Sequence, residues 1–489
     1  MKRLTKADLA ALAILLIAMA LRFHDLSLRP FHHDEGVNGF FLTRLLREGI
    51  FKYDPSNYHG PTLYYLTLPM VGILGLSDAA VRGTTALFGT LTVFVLWRFL
   101  SVAGAVMALS AMALLATSPG AVFYSRYFIH EALFVAFTLF AVAAAPFQGG
   151  RQRWRFVATG LSLGLLFATK ETAFVSAGAM IGGAVMAAWL VTGLTPLALL
   201  RGVRPYANEH AENLLHGALA FVTSAGLLYS SFFRNPTGLL DAFRTFAFWT
   251  KTAVRDHENP WYQHVEWLRE ADPALIYLGF AGMFFALVLR RSFLAVMASV
   301  WALLLFFAYG VVKYKTPWLG LNMLLPLAIT SGYLLHLLAG ISFLSGRLSM
   351  RPVAALVLIA ACGFSAVRSY DLETKRYDDE SHPYLYAHTQ RPFLELIRLI
   401  EAHAAALGTG KETGIAVFAP ENWPMAWYLR DYTKTGYWGE IKNDVTSDMY
   451  VVSDAQDPQM AMRTAGKYDR FGPFNMRGVV NLMVYVKRP

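Results

Sequence analysis

The sequence has few charged residues and almost no cysteine. Charged residues make up 16% of its 489 positions and hydrophobic residues 55%, whereas a soluble protein carries about 25% charged residues. The deficit lies in long apolar runs over the first three quarters of the chain, which predicts a multi-span membrane protein. The single cysteine, Cys362, lies inside one of these runs. No intrachain disulfide and no cysteine-based metal site can therefore form.

Short motifs of nucleotide binding and of zinc proteolysis are also missing. No GxGxxG, P-loop or HExxH motif occurs where it would carry weight, and no internal repeat or low-complexity tract is found. The formal net charge is +10, but its Arg and Lys residues cluster in short loops between apolar runs, as cytoplasmic charge does in membrane proteins. The sequence therefore gives no sign of a nucleic-acid partner or a nucleotide donor.

About eleven apolar runs are long enough to cross a bilayer. The first, Leu9 to Leu21 with its flanks, lacks a small-residue cleavage site, so we interpret it as a retained span. Lys2, Arg3 and Lys6 precede it, and basic residues recur in alternate loops, which predicts a cytoplasmic N-terminus and an extracytoplasmic C-terminus. If the run Pro61 to Leu76 crossed the membrane, the N-terminal basic cluster and the later basic loops would lie on opposite sides. We therefore interpret this run as a juxtamembrane or re-entrant helix. The other predicted spans are 78–99, 101–118, 121–146, 154–169, 172–192, 213–233, 273–289, 293–312, 317–340 and 351–368.

The composition changes after the last of these spans. Residues 370–489 are polar, and they alternate between a helical pattern near 392–407 and apolar strand patterns at 415–418, 449–452 and 479–486. Such alternation is typical of a small α/β domain. The predicted fold class is an α-helical polytopic membrane protein over 1–369, with an extracytoplasmic α/β domain over 370–489.

Two carboxylates and two imidazoles follow the first span in a long outer loop, 23–77. Charges this close to the hydrocarbon are costly and are candidates for function, although a loop that is merely acidic is the alternative. Apolar residues recur from Val37 to Ile50 near helical spacing, which indicates a helix in the membrane interface. The motif reads Phe31-His32-His33-Asp34-Glu35-Gly36.

A second outer loop, 234–272, is rich in aromatic residues and contains the polar stretch Asp256-His257-Glu258. Two interpretations stay open. The aromatic residues either anchor the protein among lipid headgroups or belong to a flexible lid over a lipid-substrate cavity.

With this topology, acids and cations converge on the outer surface. Cations hold phosphate through charge-assisted bonds, although Lys or Arg at a span end commonly snorkels to the interface, and Lys170 has Glu171 beside it as a local ion-pair partner. Carboxylates activate a hydroxyl or ligate a divalent cation. Arg126 and His130, four residues apart, are predicted to share a helix face. The acids are Asp34, Glu35 and Glu131; the candidate phosphate-binding cations are Arg82, Arg126, Lys170, Lys313 and Lys315; the further site residues are His33, His59 and His130.

These are the groups needed to transfer a sugar from a lipid phosphate to a hydroxyl. The chain resembles the GT-C glycosyltransferases that use polyprenyl-phosphate sugars, in the branch of protein O-mannosyltransferases and aminoarabinose transferases. Within that branch it resembles a subfamily named for a flippase-associated protein of archaeal N-glycosylation. The resemblance covers about 1–370 and rests on the ordered motifs Asp34-Glu35-Gly36, Tyr58 to Tyr65, Ser125 to Glu131, Thr169 to Thr172 and Lys313 to Trp318.

The resemblance implies an inverting transfer without a covalent enzyme intermediate. Asp34 would be the base or the carboxylate that orients the acceptor, with Glu35 beside it, and Glu131 matches the position of a second acid. The donor would be a polyprenyl-phosphate sugar, and the acceptor a hydroxyl on a protein, glycan or lipid at the outer face of the cytoplasmic (inner) membrane. Metal dependence varies among such enzymes, and a divalent metal would use Asp34, Glu131 and His59.

The sequence departs from its relatives at two points. Relatives often carry a cation before a Pro-Pro pair, where this chain has His59-Gly60-Pro61, and several carry a basic residue where it has Val37-Asn38. The rival hypothesis is a flippase or transporter of lipid-linked sugars without transferase activity. A transporter would place ionisable groups near the midplane and often show repeated halves, and neither is apparent in the sequence.

Overall fold

The computed structural model describes residues 4–57, 59–146, 152–252, 259–343 and 348–488. Lys2, Arg3, Tyr58 and the stretch 256–258, which entered the sequence analysis, lie outside the described residues. The chain divides into two compact units. The first comprises Met1–Leu26 and Ile50–Lys375, and the second comprises Ser27–Gly49 and Arg376–Pro489. The segment with the acidic motif thus belongs to the same unit as the C-terminal residues.

Twenty α-helices and seven strands form the described part of the chain. The helices are α1 Lys6–Phe23, α2 His33–Glu48, α3 Thr62–Leu74, α4 Asp78–Leu100, α5 Ala105–Thr117, α6 Pro119–Ser125, α7 Glu131–Ala144, α8 Arg153–Phe167, α9 Ala173–Thr192, α10 Pro196–Glu209, α11 Ala211–Tyr229, α12 Gly238–Thr252, α13 Gln263–Ala271, α14 Pro273–Leu289, α15 Phe293–Val311, α16 Leu321–Gly340, α17 Arg351–Thr374, α18 Pro392–Ala406, α19 Met425–Tyr428 and α20 Asp457–Thr464. The strands are β1 Ser342–Phe343, β2 Leu348–Ser349, β3 Ile415–Val417, β4 Thr435–Tyr437, β5 Met449–Ser453, β6 Tyr468–Arg477 and β7 Val480–Lys487.

The first unit is built from apolar helices, because a helix satisfies its backbone hydrogen bonds internally in lipid. Every predicted span coincides with a helix or a helix pair, which confirms the helical membrane class. By length and hydropathy, five helices in the described ranges are long enough to cross a membrane, and two bent pairs, α5–α6 and α13–α14, raise the number to seven. The count of eleven spans stays a prediction. The run after Pro61 forms α3, a shorter apolar helix.

The predicted continuous span 121–146 is wrong, because it is broken between α6 and α7. Arg126 ends α6 and His130 precedes α7, so the two residues do not share a helix face as expected. The break is stabilised by the Arg126 guanidinium, whose Nε lies 2.6 Å from Oε2 of buried Glu373. Its Nη1 and Nη2 donate to backbone carbonyls at the end of α1, those of Leu21, His24 and Asp25.

The second unit contains a five-stranded sheet in the order β4-β3-β5-β7-β6. Strand β3 is parallel to β4 and β5, whereas β7 is antiparallel to β5 and β6. Because side chains alternate along a strand, residues such as Val451 face α18 on one side and residues such as Val452 face α20 on the other, in two separate apolar cores. The predicted helix near 392–407 and the three predicted strands are confirmed. The strands β4 and β6 were missed.

Helix α2 packs on the C-terminal part of this unit through small residues. A side chain on Gly36 would meet Pro424 at 2.6 Å, and one on Gly39 would meet the ring of Trp427 at 2.5 Å. Just before the helix, the ring of Phe31 stacks on Trp427 with centroids 4.7 Å apart. These contacts fix the start of α2, where the acidic motif lies.

Candidate active site

The acidic motif forms the first turn of α2. His32 is the N-cap, and its Nδ1 accepts the backbone N–H of Asp34 at 3.1 Å. In return the Glu35 carboxylate accepts the backbone N–H of His32 at 3.0 Å, which completes a capping box. Glu35 is fully buried, and its contact with the backbone of His32 holds the start of the helix. Asp34, by contrast, is only partly buried.

Sequence reasoning missed Arg477, which lies at the end of β6. Its Nη1 donates to Nδ1 of His33 at 3.2 Å, and its Nη2 donates to the backbone carbonyl of Trp423. Burial lowers the pKa of Arg477 below its usual value, and the negative charges of Glu421 and, to a smaller extent, Asp34 oppose this shift. In the sequence, nothing distinguishes Arg477 from the other arginines of the polar C-terminal part.

Burial keeps the imidazoles of the motif neutral. Burial lowers the pKa of His32 to about 3, and the charge of Arg477 adds to the effect. Burial, followed by the same guanidinium, lowers the pKa of His33 to about 4. Both rings therefore act at neutral pH as hydrogen-bonding groups. His32 also places its Nε2 2.8 Å from the carbonyl of Tyr386.

Four of the predicted site residues come together in the first unit. The Nδ1 of His59 lies 3.2 Å from Oε2 of Glu171, and the Nζ of Lys170 pairs with Oε1 of Glu131. The rings of His59 and His130 lie 4.9 Å apart. Of the five members of this cluster, which include Glu171, His59 is partly exposed and the other four are buried. Lys170 thus pairs with Glu131, which is 39 residues away, and not with its neighbour.

Backbone hydrogen bonds hold this cluster in place. The N–H of Gly60 donates to the carbonyl of Thr169 at 3.0 Å, and the N–H of Thr62 donates to the carbonyl of Ala168 at 3.1 Å. The Nε2 of His130 lies 3.1 Å from the carbonyl of Gly60. The approach is so close that a Cβ on Gly60 would lie 2.1 Å from the Ala168 oxygen. Where relatives carry a cation before a Pro-Pro pair, this chain has His59-Gly60-Pro61, and close packing against Ala168 explains the glycine.

The other predicted cations have protein partners. Arg82 is fully buried and donates to the carbonyl of Leu26 at 2.8 Å. Lys315 is buried and donates to backbone carbonyls, including that of Gly310 at 3.0 Å. Lys313 is exposed. With Arg126 bound to Glu373, the buried cations are already used in protein contacts, and their roles toward phosphate stay predictions.

The residues predicted to bind a metal are Asp34, Glu131 and His59. Within the described ranges, no group of three or more His, Cys, Asp or Glu side chains is arranged to hold a metal ion. Asp34 belongs to the second unit, whereas His59 and Glu131 belong to the first and have Glu171 and Lys170 as partners. The use of a metal by Asp34, Glu131 and His59 therefore stays a prediction.

Comparisons with known proteins agree with this fold. A family described as dolichyl-phosphate-mannose-protein mannosyltransferase matches residues 58–204. No curated protein sequence matches the chain. The structure of ArnT from Cupriavidus metallidurans in the apo state is similar with a TM-score of 0.68 and 14% identity over 98% of both chains. The same protein bound to undecaprenyl phosphate gives a TM-score of 0.63 with 15% identity over 97% of each chain.

A second solved enzyme has a similar architecture. The apo oligosaccharyltransferase of Archaeoglobus fulgidus matches with a TM-score of 0.60 and 13% identity, over 99% of this chain and 74% of its own. Likeness at these identities shows the fold, which is that of the GT-C membrane glycosyltransferases. The family model adds a likeness to the protein mannosyltransferases over the matched segment, so both comparisons agree with the resemblance that the motifs carry.

Proposed function

We propose that the chain is an inverting glycosyltransferase that moves a sugar from a polyprenyl-phosphate donor to a hydroxyl acceptor at the outer face of the cytoplasmic membrane. The observation that carries the proposal is the placement of Asp34. It lies partly buried in the first turn of α2, which His32 and Glu35 cap, and its charge affects the pKa of Arg477. The undecaprenyl phosphate bound to ArnT supports the choice of donor.

In the proposed reaction, the Asp34 carboxylate accepts the proton of the acceptor hydroxyl. The hydroxyl oxygen forms a bond to the anomeric carbon of the sugar, while the bond from that carbon to the phosphate oxygen breaks. The phosphate oxygen keeps the bonding electrons, and polyprenyl phosphate leaves. Cations stabilise the charge that develops on this leaving group. The candidates are Arg82, Arg126, Lys170, Lys313 and Lys315.

The test compares sugar transfer by the unchanged protein and by the isosteric variant Asp34→Asn. The proteoliposomes contain undecaprenyl phosphate linked to radiolabelled mannose or glucose. A general base contributes about 10²–10⁴-fold to rate, so we expect a loss of transfer of at least 100-fold. The matched control is Asp469→Asn, which removes an exposed carboxylate that pairs with Arg488. Near-normal transfer by Asp34→Asn, with an unchanged unfolding temperature, would exclude Asp34 as the base.

The same vesicles distinguish the transferase from a flippase. A transferase releases polyprenyl phosphate and passes the label to an acceptor. Movement of the intact labelled lipid between leaflets, without release or transfer, would favour the transporter.

A further inference from the structure

A cavity of about 660 Å³ lies within the second unit, between the C-terminal half of α2 and residues 422–437. This volume falls in the range of ligand pockets, about 300–1,000 Å³. None of the residues assigned to the proposed reaction lines it. Its α2 wall is one helix face, because Phe40, Thr43, Arg44 and Arg47 follow the spacing that stacks side chains on one side.

The charge of the lining is positive. Its ionisable residues are Arg44, Arg47, Arg430 and Glu48, which leave a formal charge of +2. Arg44 pairs with Glu48 at 2.7 Å, but both side chains are more than one third exposed, so water or a ligand competes readily for them. Arg47 donates to the backbone carbonyl of Arg430. Guanidinium groups suit the two oxygens of a carboxylate or phosphate.

Aromatic rings form much of the remaining wall. Phe40 and Trp423 lie edge to face with centroids 6.0 Å apart, and Tyr437 lines the same cavity and is 39% exposed. The face of an aromatic ring is electron-rich, and it therefore packs well on the C–H face of a sugar. A cavity made for a purely apolar ligand would not need three guanidinium groups.

One lining hydroxyl is without a partner. Oγ1 of Thr435 is buried and makes no hydrogen bond within the part of the chain that the structure describes. A buried polar atom left unpaired costs about 1–3 kcal/mol. A ligand hydroxyl would satisfy it, as would a water molecule.

We propose that this cavity binds a negatively charged sugar residue, with Arg44 and Arg47 on its anionic group, Trp423 and Tyr437 on its ring, and Thr435 on a hydroxyl. Asp34 precedes Arg44 by ten residues on the same helix, which is about 15 Å along the axis. A few sugar residues span that distance. The site therefore holds an inner, acidic sugar of a glycan acceptor; this acceptor role rests on the proposed function, whereas the binding itself does not.

The experiment measures binding of digalacturonate to the purified full-length protein by isothermal titration calorimetry. The neutral disaccharide galactobiose is the comparison. We expect digalacturonate to bind at least tenfold more tightly than galactobiose, and Arg44→Gln and Arg47→Gln each to weaken it at least tenfold. Tyr437→Ala, at an exposed position, weakens both sugars. The matched control is Arg488→Gln, which changes an exposed arginine outside the cavity and leaves binding unchanged.

Equal binding of the two sugars would overturn the proposal. So would a loss of digalacturonate affinity in Arg488→Gln as large as that in Arg44→Gln or Arg47→Gln. Absence of sugar binding, together with binding of phosphatidylglycerol vesicles that is lost in Arg44→Gln, would reassign the cavity to lipid headgroups. In Asp34→Asn we expect digalacturonate to bind as in the unchanged protein. A failure of the transferase proposal therefore leaves the binding result standing, and a failure of binding leaves the transfer assay standing.

Discussion

Arg477 donates to Nδ1 of His33 across 444 positions of sequence. Because a guanidinium has only donors, this nitrogen of His33 must be unprotonated for the contact to form. Nδ1 of His32 must also be unprotonated, since it accepts the N–H of Asp34. The start of the motif helix therefore depends on two neutral imidazoles.

This dependence predicts acid sensitivity of the second unit. The pKa of His32 is lowered to about 3 and that of His33 to about 4, chiefly by burial, whereas an unfolded histidine has a pKa of about 6.5. Below about pH 6.5 the unfolded state binds more protons than the folded state, so stability is full above that pH and is lost as the pH falls toward 4. Between pH 6.5 and 5, buried His32 alone loses about 2 kcal/mol of stability.

Thermal unfolding of the detergent-purified protein at pH 7, 6 and 5 checks this expectation. His32→Asn is the comparison, because asparagine is a good N-cap that does not titrate in this range. We expect a smaller fall in unfolding temperature for His32→Asn. Equal falls for both proteins would show that His32 is not responsible.

The second prediction concerns Lys170 and Glu131. Both are buried, and removal of one member of a buried ion pair leaves an unpaired charge at a cost of about 3–5 kcal/mol. We expect Glu131→Gln and Lys170→Met each to lower the unfolding temperature by several degrees. The double variant recovers part of the loss, because no unpaired charge remains.

The exposed pair of Arg153 and Glu212 provides the matched control. Exposed pairs contribute about 0–1 kcal/mol, so Glu212→Gln should leave the unfolding temperature nearly unchanged. Transfer is measured on the same variants. If Glu131→Gln loses transfer while its stability is unchanged, Glu131 is a catalytic acid and not a structural one.

The third prediction concerns two glycines near α3. Gly60→Ala places a Cβ 2.1 Å from the carbonyl oxygen of Ala168, which is rigid backbone, whereas Gly72→Ala meets no heavy atom within 4 Å. We expect Gly60→Ala to lower the unfolding temperature and the yield of folded protein. Gly72→Ala, inside α3, should be neutral or stabilise by up to about 1 kcal/mol, since alanine favours a helix. A tolerated Gly60→Ala would show that the loop shifts freely.

The fold was predictable where the pattern is local. Apolar runs mark the helices of the first unit, and the short apolar run Met449 to Val452 marks β5. Strand β6 was missed because Gly472 and Pro473 interrupt it at an irregularity in its pairing with β7. The break at Arg126 was also missed, because the ion-pair partner of Arg126 there, Glu373, lies 247 residues further along the chain.

The candidate site was predictable by residue type and less so by role. The sequence analysis expected a larger set of acids and cations to converge on the outer surface, and the structure brings His59, His130, Glu131 and Lys170 of that set into contact. The roles of these residues stay predictions. Their pairing was not predictable, because ion pairs depend on three-dimensional contacts and not on spacing. For the same reason the sequence did not identify Arg477 as a neighbour of the motif. Glu35 was interpreted as a site acid, and its capping role was missed.

The second unit is discontinuous in sequence, since Ser27–Gly49 packs with residues 376–489. During translation the acidic motif is therefore made before the sheet that supports it, and the membrane helices of the first unit are made between the two. The cap formed by His32 and Glu35 is local, whereas the packing of α2 on Trp427 and the contact of His33 with Arg477 form only after those membrane helices have been synthesised.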